Sequence, residues 1–308
     1  MNIDTLILIF ASTVAAATPL ILAALGVLVN ERAGVLNLGV EGMMLVGAVT
    51  AFGVGVTSGS LFLGYVAAMS AGAAMALLFG LLTLTLQTNQ VATGLALALF
   101  GVGLSAFVGQ PFVGLPIERV PAVPIPLLAD IPVLGPALFR YDLLVYLSIA
   151  LYAAVSWFLY RSAAGLRLRA IGEAPGVAHS LGYPVVRIRY LAVMFGGATS
   201  GLAGAYLSTA LTPMWVEGMS AGRGWIVLAL VVFATWRPLR VLLGAYLFGG
   251  VTVLQLHAQG LGVDVPSEFL SMLPYLATIV VLVLICRNPK TILLNQPASL
   301  GRSFHPDG

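Results

Sequence analysis

Apolar runs dominate this chain and leave few architectures open to it. They fall at about 6–29, 35–56, 61–86, 91–109, 143–160, 191–211, 225–236, 240–259 and 268–286. A membrane-crossing helix needs about 20 apolar residues, and every run but 225–236 is near that length. The pattern predicts an all-α polytopic membrane protein with about nine transmembrane helices, eight to ten allowing for the short run. That run spans only if it starts near Ser220, or it is a broken or re-entrant segment. Charged residues are 8% of the 308, against about 25% in soluble domains. A soluble protein of this size could not cover its surface with them, which excludes a soluble enzyme, a disordered chain and a nucleic-acid binder. The net charge of +3 implies no nucleic-acid partner, because the basic residues are strung between apolar runs. A single cysteine, Cys286, excludes an intrachain disulfide, and three scattered histidines argue against a metal centre.

The first run carries Asp4 and no basic residue before it, and continues to Val29. It reads as an uncleaved first membrane helix rather than a signal peptide. Orientation follows from arginine. Arg161, Arg167, Arg169, Arg187 and Arg189 share the loop 161–190, which is placed in the cytoplasm. Alternating outward puts every basic residue except Arg119, Arg140 and Arg223 on that side, with the N-terminus external and the C-terminus cytoplasmic. The loop 110–142 is then external, and its seven prolines disfavour a long helix. The chain 1–308 reads as one transmembrane domain. Gly72, Ala76 and Gly80 form one stripe of small residues, and Gly197 and Gly201, with Ser200 and Gly204, form another. Such stripes let helix backbones approach closely in lipid.

Four polar clusters interrupt the runs. In the first, Asn37 and Glu41 are four apart and share a face if helical, with Gly34, Gly39 and Gly42 around them. Glu31 and Arg32, just before, are placed to neutralise one another. A lone charge in the membrane costs about 2.5–3.5 kcal/mol. Glu41 therefore needs a partner, water or a solute, unless it is an interfacial helix start. The second cluster, Gln87-Thr88-Asn89-Gln90 with Thr93, is a turn, or a set of amides facing a polar path. The third, Glu217 to Trp225, is broken by Gly218, Gly222 and Gly224. It reads as a re-entrant or unwound segment, or else as a solvated external loop. In the fourth, Pro175 suits a first helical turn and Gly182 its end. The two-turn helix between them places Val177, Ala178 and Leu181 on one side, either to dock into another protein or to lie along the bilayer. The sequence has no phosphate-binding G-x-x-x-x-G-K-[ST], no H-E-x-x-H and no G-x-S-x-G.

These clusters, taken together, resemble a known family. Ala17-Thr18-Pro19-Leu20 with Glu31 to Met44, Gly165 to Gly182 with Ile188-Arg189-Tyr190, and Ser220-Ala221-Gly222-Arg223-Gly224-Trp225-Ile226 are similar to segments of membrane permease subunits of ATP-binding-cassette importers. The group is the one that carries simple sugars, nucleosides and branched-chain amino acids, and the likeness is greatest to the shorter permease of nucleoside importers. Alanine replaces the family's usual asparagine at Ala174, and stands at Ala92 where serine is expected. The resemblance implies the permease fold of that family and a translocation path for a small polar solute, a nucleoside first, with simple sugars and branched-chain amino acids as alternatives. Asn37, Glu41, Gly42, Asn89, Gln90, Thr93, Gly222, Arg223 and Gly224 would lie along that path. Gly172, Glu173, Pro175, Val177, Ala178, Leu181 and Gly182 would form the coupling segment that meets a cytoplasmic ATPase. The implied partners are that ATPase, a second related permease and an external substrate-binding protein or lipoprotein. The chain itself would hold no cofactor and do no covalent chemistry, with ATP and Mg on the ATPase. The setting would be the bacterial inner membrane. The competing class is an ATP-independent secondary transporter, for which Glu41 is the main ion-coupling candidate; a membrane-embedded enzyme ranks last.

Overall fold

The computed structural model describes residues 3–126, 128–132, 134–260 and 295–305, with a few positions between 269 and 283. The helices are α1 (Ile3–Arg32), α2 (Val40–Ser58), α3 (Leu61–Gly80), α4 (Gln90–Gly109), α5 (Leu134–Leu138), α6 (Leu143–Arg161), α7 (Ala163–Glu173), α8 (Pro175–Ser180), α9 (Val185–Tyr206), α10 (Arg223–Phe233) and α11 (Pro238–Gly260). Single wide turns extend α3 over Leu81–Thr85 and α9 over Leu207–Leu211. Among the described residues, seven helices are long and apolar enough to cross a membrane: α1, α2, α3, α4, α6, α9 and α11. The fold is all-α and polytopic, as the runs imply. The ninth run, 268–286, lies almost wholly outside the described residues.

Burial divides the helices into two classes. In α2 and in α9 with its extension, 78% of the most apolar stretch is inside the protein. These two helices and the inner half of α1 form the centre, with Leu22, Leu25 and Leu28 fully buried. The surrounding helices turn Phe62, Leu99, Phe107, Trp157 and Leu243 outward, where lipid would solvate them. The two small-residue stripes meet each other. A methyl group on Gly72 would lie 2.1 Å from the Gly197 carbonyl oxygen, and one on Gly47 would lie 2.3 Å from that of Gly201. The α2, α3 and α9 backbones therefore touch directly.

The loop 110–142 holds only a short turn at Gln110–Phe112, the five-residue α5 and a two-residue antiparallel ladder pairing Val123 with Tyr141. No long helix forms there among the described residues, consistent with its prolines. The α6 start is fixed by Asp142, whose Oδ1 accepts from the amides of Leu144 (3.0 Å) and Val145 (3.1 Å). The pattern reading does not predict α7, whose Leu168 and Ile171 face inward while Arg167 is exposed and Arg169, half-buried, lies over the Tyr160 ring.

Candidate functional site

Two interruptions in the helical core meet at Glu41. The run 225–236 is short because its helix, α10, is short. Eleven residues rise about 16 Å, about half of a hydrocarbon core of about 30 Å. Before α10 the chain is unwound, and Ala221 and Gly222 both take positive φ, 48° and 78°. The far end of α10 leads to Trp236, which meets Glu31 and Arg32 at the end of α1. The segment thus continues to the arginine-rich end of the bundle instead of turning back. The glycine-rich segment is thus unwound where it meets α10, and it does not double back.

Glu41, in the first turn of α2, caps this half-helix. Its Oε1 accepts from Ser220 Oγ (2.5 Å) and the Gly222 amide (3.0 Å), and its Oε2 from the Gly224 amide (2.6 Å). The residue is 7% exposed. Free amides and the positive dipole end at a helix N-terminus favour an anion, which supplies Glu41 with its partner. Gly224 is required for the approach, since a methyl there would lie 2.6 Å from Glu41. Arg223 turns its guanidinium back onto the carbonyl oxygens of Met219 (3.3 Å) and Ser220 (3.1 Å). The sequence reading does not name Ser220 as a site residue; its place within the glycine-rich segment Gly218 to Gly224 is the one signal that points to it.

Asn37 is not on a helical face with Glu41. Residues 35–38 are not helical, and α2 begins only at Val40. The Asn37 Oδ1 instead accepts from the Gly39 amide at 2.8 Å, a local bond that competes with helix. This stretch lies along α4. Gly94 packs on Leu38, and Gly42 and Gly101 bring the α2 and α4 backbones together. Gln90, 2% exposed, accepts the Leu36 amide at 2.8 Å. Asn89 is the α4 cap, accepting from Val91 and Ala92 at 3.0 Å each, and the Thr93 hydroxyl pairs with Thr88 at 2.9 Å. The nine candidates thus fall into two groups. Glu41, Gly222, Arg223 and Gly224 cluster at the head of α10. Asn89, Gln90 and Thr93 gather at the start of α4. Asn37 and Gly42 belong to the segment that joins them.

Glu31 and Arg32 do not pair. Adjacent helical residues point about 100° apart, and each finds Trp236 separately. The Trp236 indole donates to Glu31 Oε2 at 2.5 Å, while Arg32 Nε and Nη2 donate to the Trp236 carbonyl oxygen at 3.2 and 2.7 Å.

In the arginine-rich loop, Pro175 occupies the first turn of α8 and Gly182 ends it at φ 83°. Ala174 gives α8 no side-chain cap. Val177 is 63% exposed and Leu181 is 71% exposed, whereas Ala178 is 4% exposed and packs on Ile171 and Val185. The outward apolar face is therefore Val177 and Leu181 alone. One residue's 100° step turns Ala178 inward. Gly172 is also inward, where a methyl would lie 2.1 Å from the Arg32 carbonyl oxygen. Glu173 accepts the Ala298 amide at 3.2 Å.

Comparison with known proteins shows the family of the chain. The family described as branched-chain amino acid transport system / permease component matches residues 9–285. TsgC13 of Haloferax volcanii, provisionally named a glucose ABC transporter permease protein, is 43% identical over 316 residues, covering 96% of each chain. The guanosine ABC transporter permease protein NupQ of Bacillus subtilis is 33% identical, over 91% of this chain and 92% of its own. The nucleoside ABC transporter permease protein NupC of Lactococcus lactis is 32% identical, over 92% of this chain and 94% of its own. No solved structure matches the chain. The relatives divide between sugar and nucleoside names, so the expected nucleoside is not singled out.

Proposed function

The chain belongs to the branched-chain amino acid transport system / permease component family, and from that premise we propose that it forms, with a second related permease, the path of an ATP-driven importer for a small neutral solute. The observation that carries this is the family match over residues 9–285. A simple sugar is the first assignment, on the 43% identity to TsgC13 over nearly the whole chain. A nucleoside is the second, on NupQ and NupC. Both solutes are uncharged hydroxylated rings. The Glu41 carboxylate spends its acceptor capacity on Ser220, Gly222 and Gly224, which suits a path that need not balance a charge on its cargo.

Under this reading a cytoplasmic ATPase binds ATP and Mg, and its closure pushes on α8 through Val177 and Leu181. An external binding protein or lipoprotein delivers the solute to the opposite face. The loop 161–190 faces the cytoplasm of the cell whose membrane holds the protein. The head of α10, with Glu41, and the segment 35–42 along α4 line the part of the path that rearranges. The protein acts by differential contacts in two states of access.

The test has two stages. A mild-detergent pull-down of the tagged chain should recover an ATPase and a second permease. The recovered complex, reconstituted in vesicles with its binding protein, should take up labelled glucose, or failing that guanosine, only with ATP. Recovery of this chain alone under conditions that preserve other ABC complexes, or solute uptake without ATP, would overturn the reading.

A further inference from the structure

Residues 295–305 lie against the arginine-rich end of the bundle and touch α7, α8, the break between α1 and α2, and the start of α4. Ser299 is 5% exposed. Its amide donates to the Gly172 carbonyl oxygen at 3.0 Å, and its hydroxyl to the same oxygen at 2.7 Å. This pins the segment to α7 immediately before α8. Five residues on, Phe304 sets its ring edge-on to His179 of α8, with centroids 5.7 Å apart. On the other side the Gly301 amide donates to the Gly34 carbonyl oxygen at 3.3 Å. Gln90 donates to the Arg302 carbonyl oxygen at 3.4 Å, while its own Oε1 holds Leu36.

Arg189 sits at the junction. It is 1% exposed, and its guanidinium spans three partners. Nε donates to the Ala33 carbonyl oxygen at 3.1 Å, and Nη2 donates to Ser299 Oγ at 3.0 Å. The group also lies 5.9 Å from the centre of the Phe304 ring, within cation–π range. Nη1 is buried with no hydrogen-bond partner among the described residues, so the bonds from Nε and Nη2 and the ring contact are what offset the burial of the guanidinium, and Arg189 and the segment hold each other in place through them.

We propose that residues 295–305 are a tie that fixes α8 to the α1–α2 break and to the start of α4, with Arg189 and Ser299 as positioning residues. Displacement of α8 is then passed to 33–36 and to Gln90 through the tie, and not only through the α7–α9 packing. The proposal rests on the importer reading, because it needs an ATPase to move α8.

The experiment uses the full ABC complex with Cys286→Ser as background and Thr93→Cys as reporter at the start of α4. Maleimide labelling is compared between nucleotide-free and ATP–vanadate-trapped complex. With the tie intact, trapping changes the labelling rate. Ser299→Ala removes the hydroxyl's bonds to Gly172 and Arg189, leaves the backbone amide bond to Gly172 in place, and makes hydrogen exchange of the segment roughly tenfold faster. It also erases most of the trapping-dependent change, although vanadate trapping itself continues. Ser299→Thr, which keeps the hydroxyl, restores the change. A shift that persists undiminished in Ser299→Ala, or that is absent with the tie intact, overturns the proposal. Deleting 295–308 gives the same comparison, and if that variant fails to assemble, the two Ser299 variants decide. Failure to recover any ATPase is a separate result, which refutes the importer reading itself.

Discussion

Glu41→Ala is the sharpest perturbation of the α10 head. The carboxylate accepts three short bonds from Ser220, Gly222 and Gly224. Truncation leaves two amides and a hydroxyl buried without a partner, at about 1–3 kcal/mol each. It also removes a charge from a helix N-terminus, a stabilisation of about 0.3–2 kcal/mol. Some relaxation is inevitable, so a net loss of about 3–5 kcal/mol at the α2–α10 junction is the reasonable scale. At 1.4 kcal/mol per decade, that makes local opening at 222–225 about 100-fold to 4,000-fold more frequent. Hydrogen exchange on the purified complex reads this directly: peptides over 220–228 should exchange faster by at least the lower figure, while α3 and α9 stay unchanged. Glu41→Gln should fall between, because its amide keeps one acceptor oxygen and sets a donor against a donor. Wild-type protection at 222–225 in Glu41→Ala would refute the argument that the carboxylate holds α10.

Other perturbations test different parts. Val177→Asp with Leu181→Asp should abolish ATP-driven uptake, with the chain still inserting and folding; normal uptake in vesicles would show that this face does not couple. Gly72→Leu should lower thermal stability by about 1–3 kcal/mol or more, since its side chain would strike the Gly197 carbonyl. Gly103→Ala, in open space on α4, should raise stability by about 0.5–1 kcal/mol; equal midpoints for the two variants would contradict the packing argument. Trp236→Phe should cost about 1–3 kcal/mol by leaving Glu31 without its indole donor, seen as a lower unfolding midpoint.

What the sequence disclosed was local. Apolar runs marked the helices, proline and glycine marked both ends of α8, and the glycine stripes marked the α3–α9 contact. These signals live within one turn or one face, where spacing decides the outcome. The partners of Glu41 do not: Ser220 lies 179 residues away, and no periodicity connects them. Asn37 was misassigned because helical spacing was assumed through a segment that its own side chain holds out of a helix. Glu31 and Arg32 looked like a pair because opposite charges were adjacent, yet helix geometry sends them to different faces. Helical spacing puts Ala178 on one side with Val177 and Leu181, and only its packing on Ile171 of α7 and Val185 of α9 shows that it points inward. The docking of 295–305 has no local pattern at all, being a set of scattered backbone and side-chain contacts to elements distant in sequence.

The glycine seam among α2, α3 and α9 has a mechanical consequence. Where carbonyl meets α-carbon with no side chain between, a shift of even one residue along the helix would drive a backbone into a backbone. The three helices therefore behave as a single beam. Any change of access has to be taken up elsewhere, at corners that swing without disturbing that contact. α10 has such corners at both ends, in the left-handed pairs Ala221–Gly222 and Thr235–Trp236. It is a short lever between two pivots, with Glu41 gripping one end and Glu31 the other.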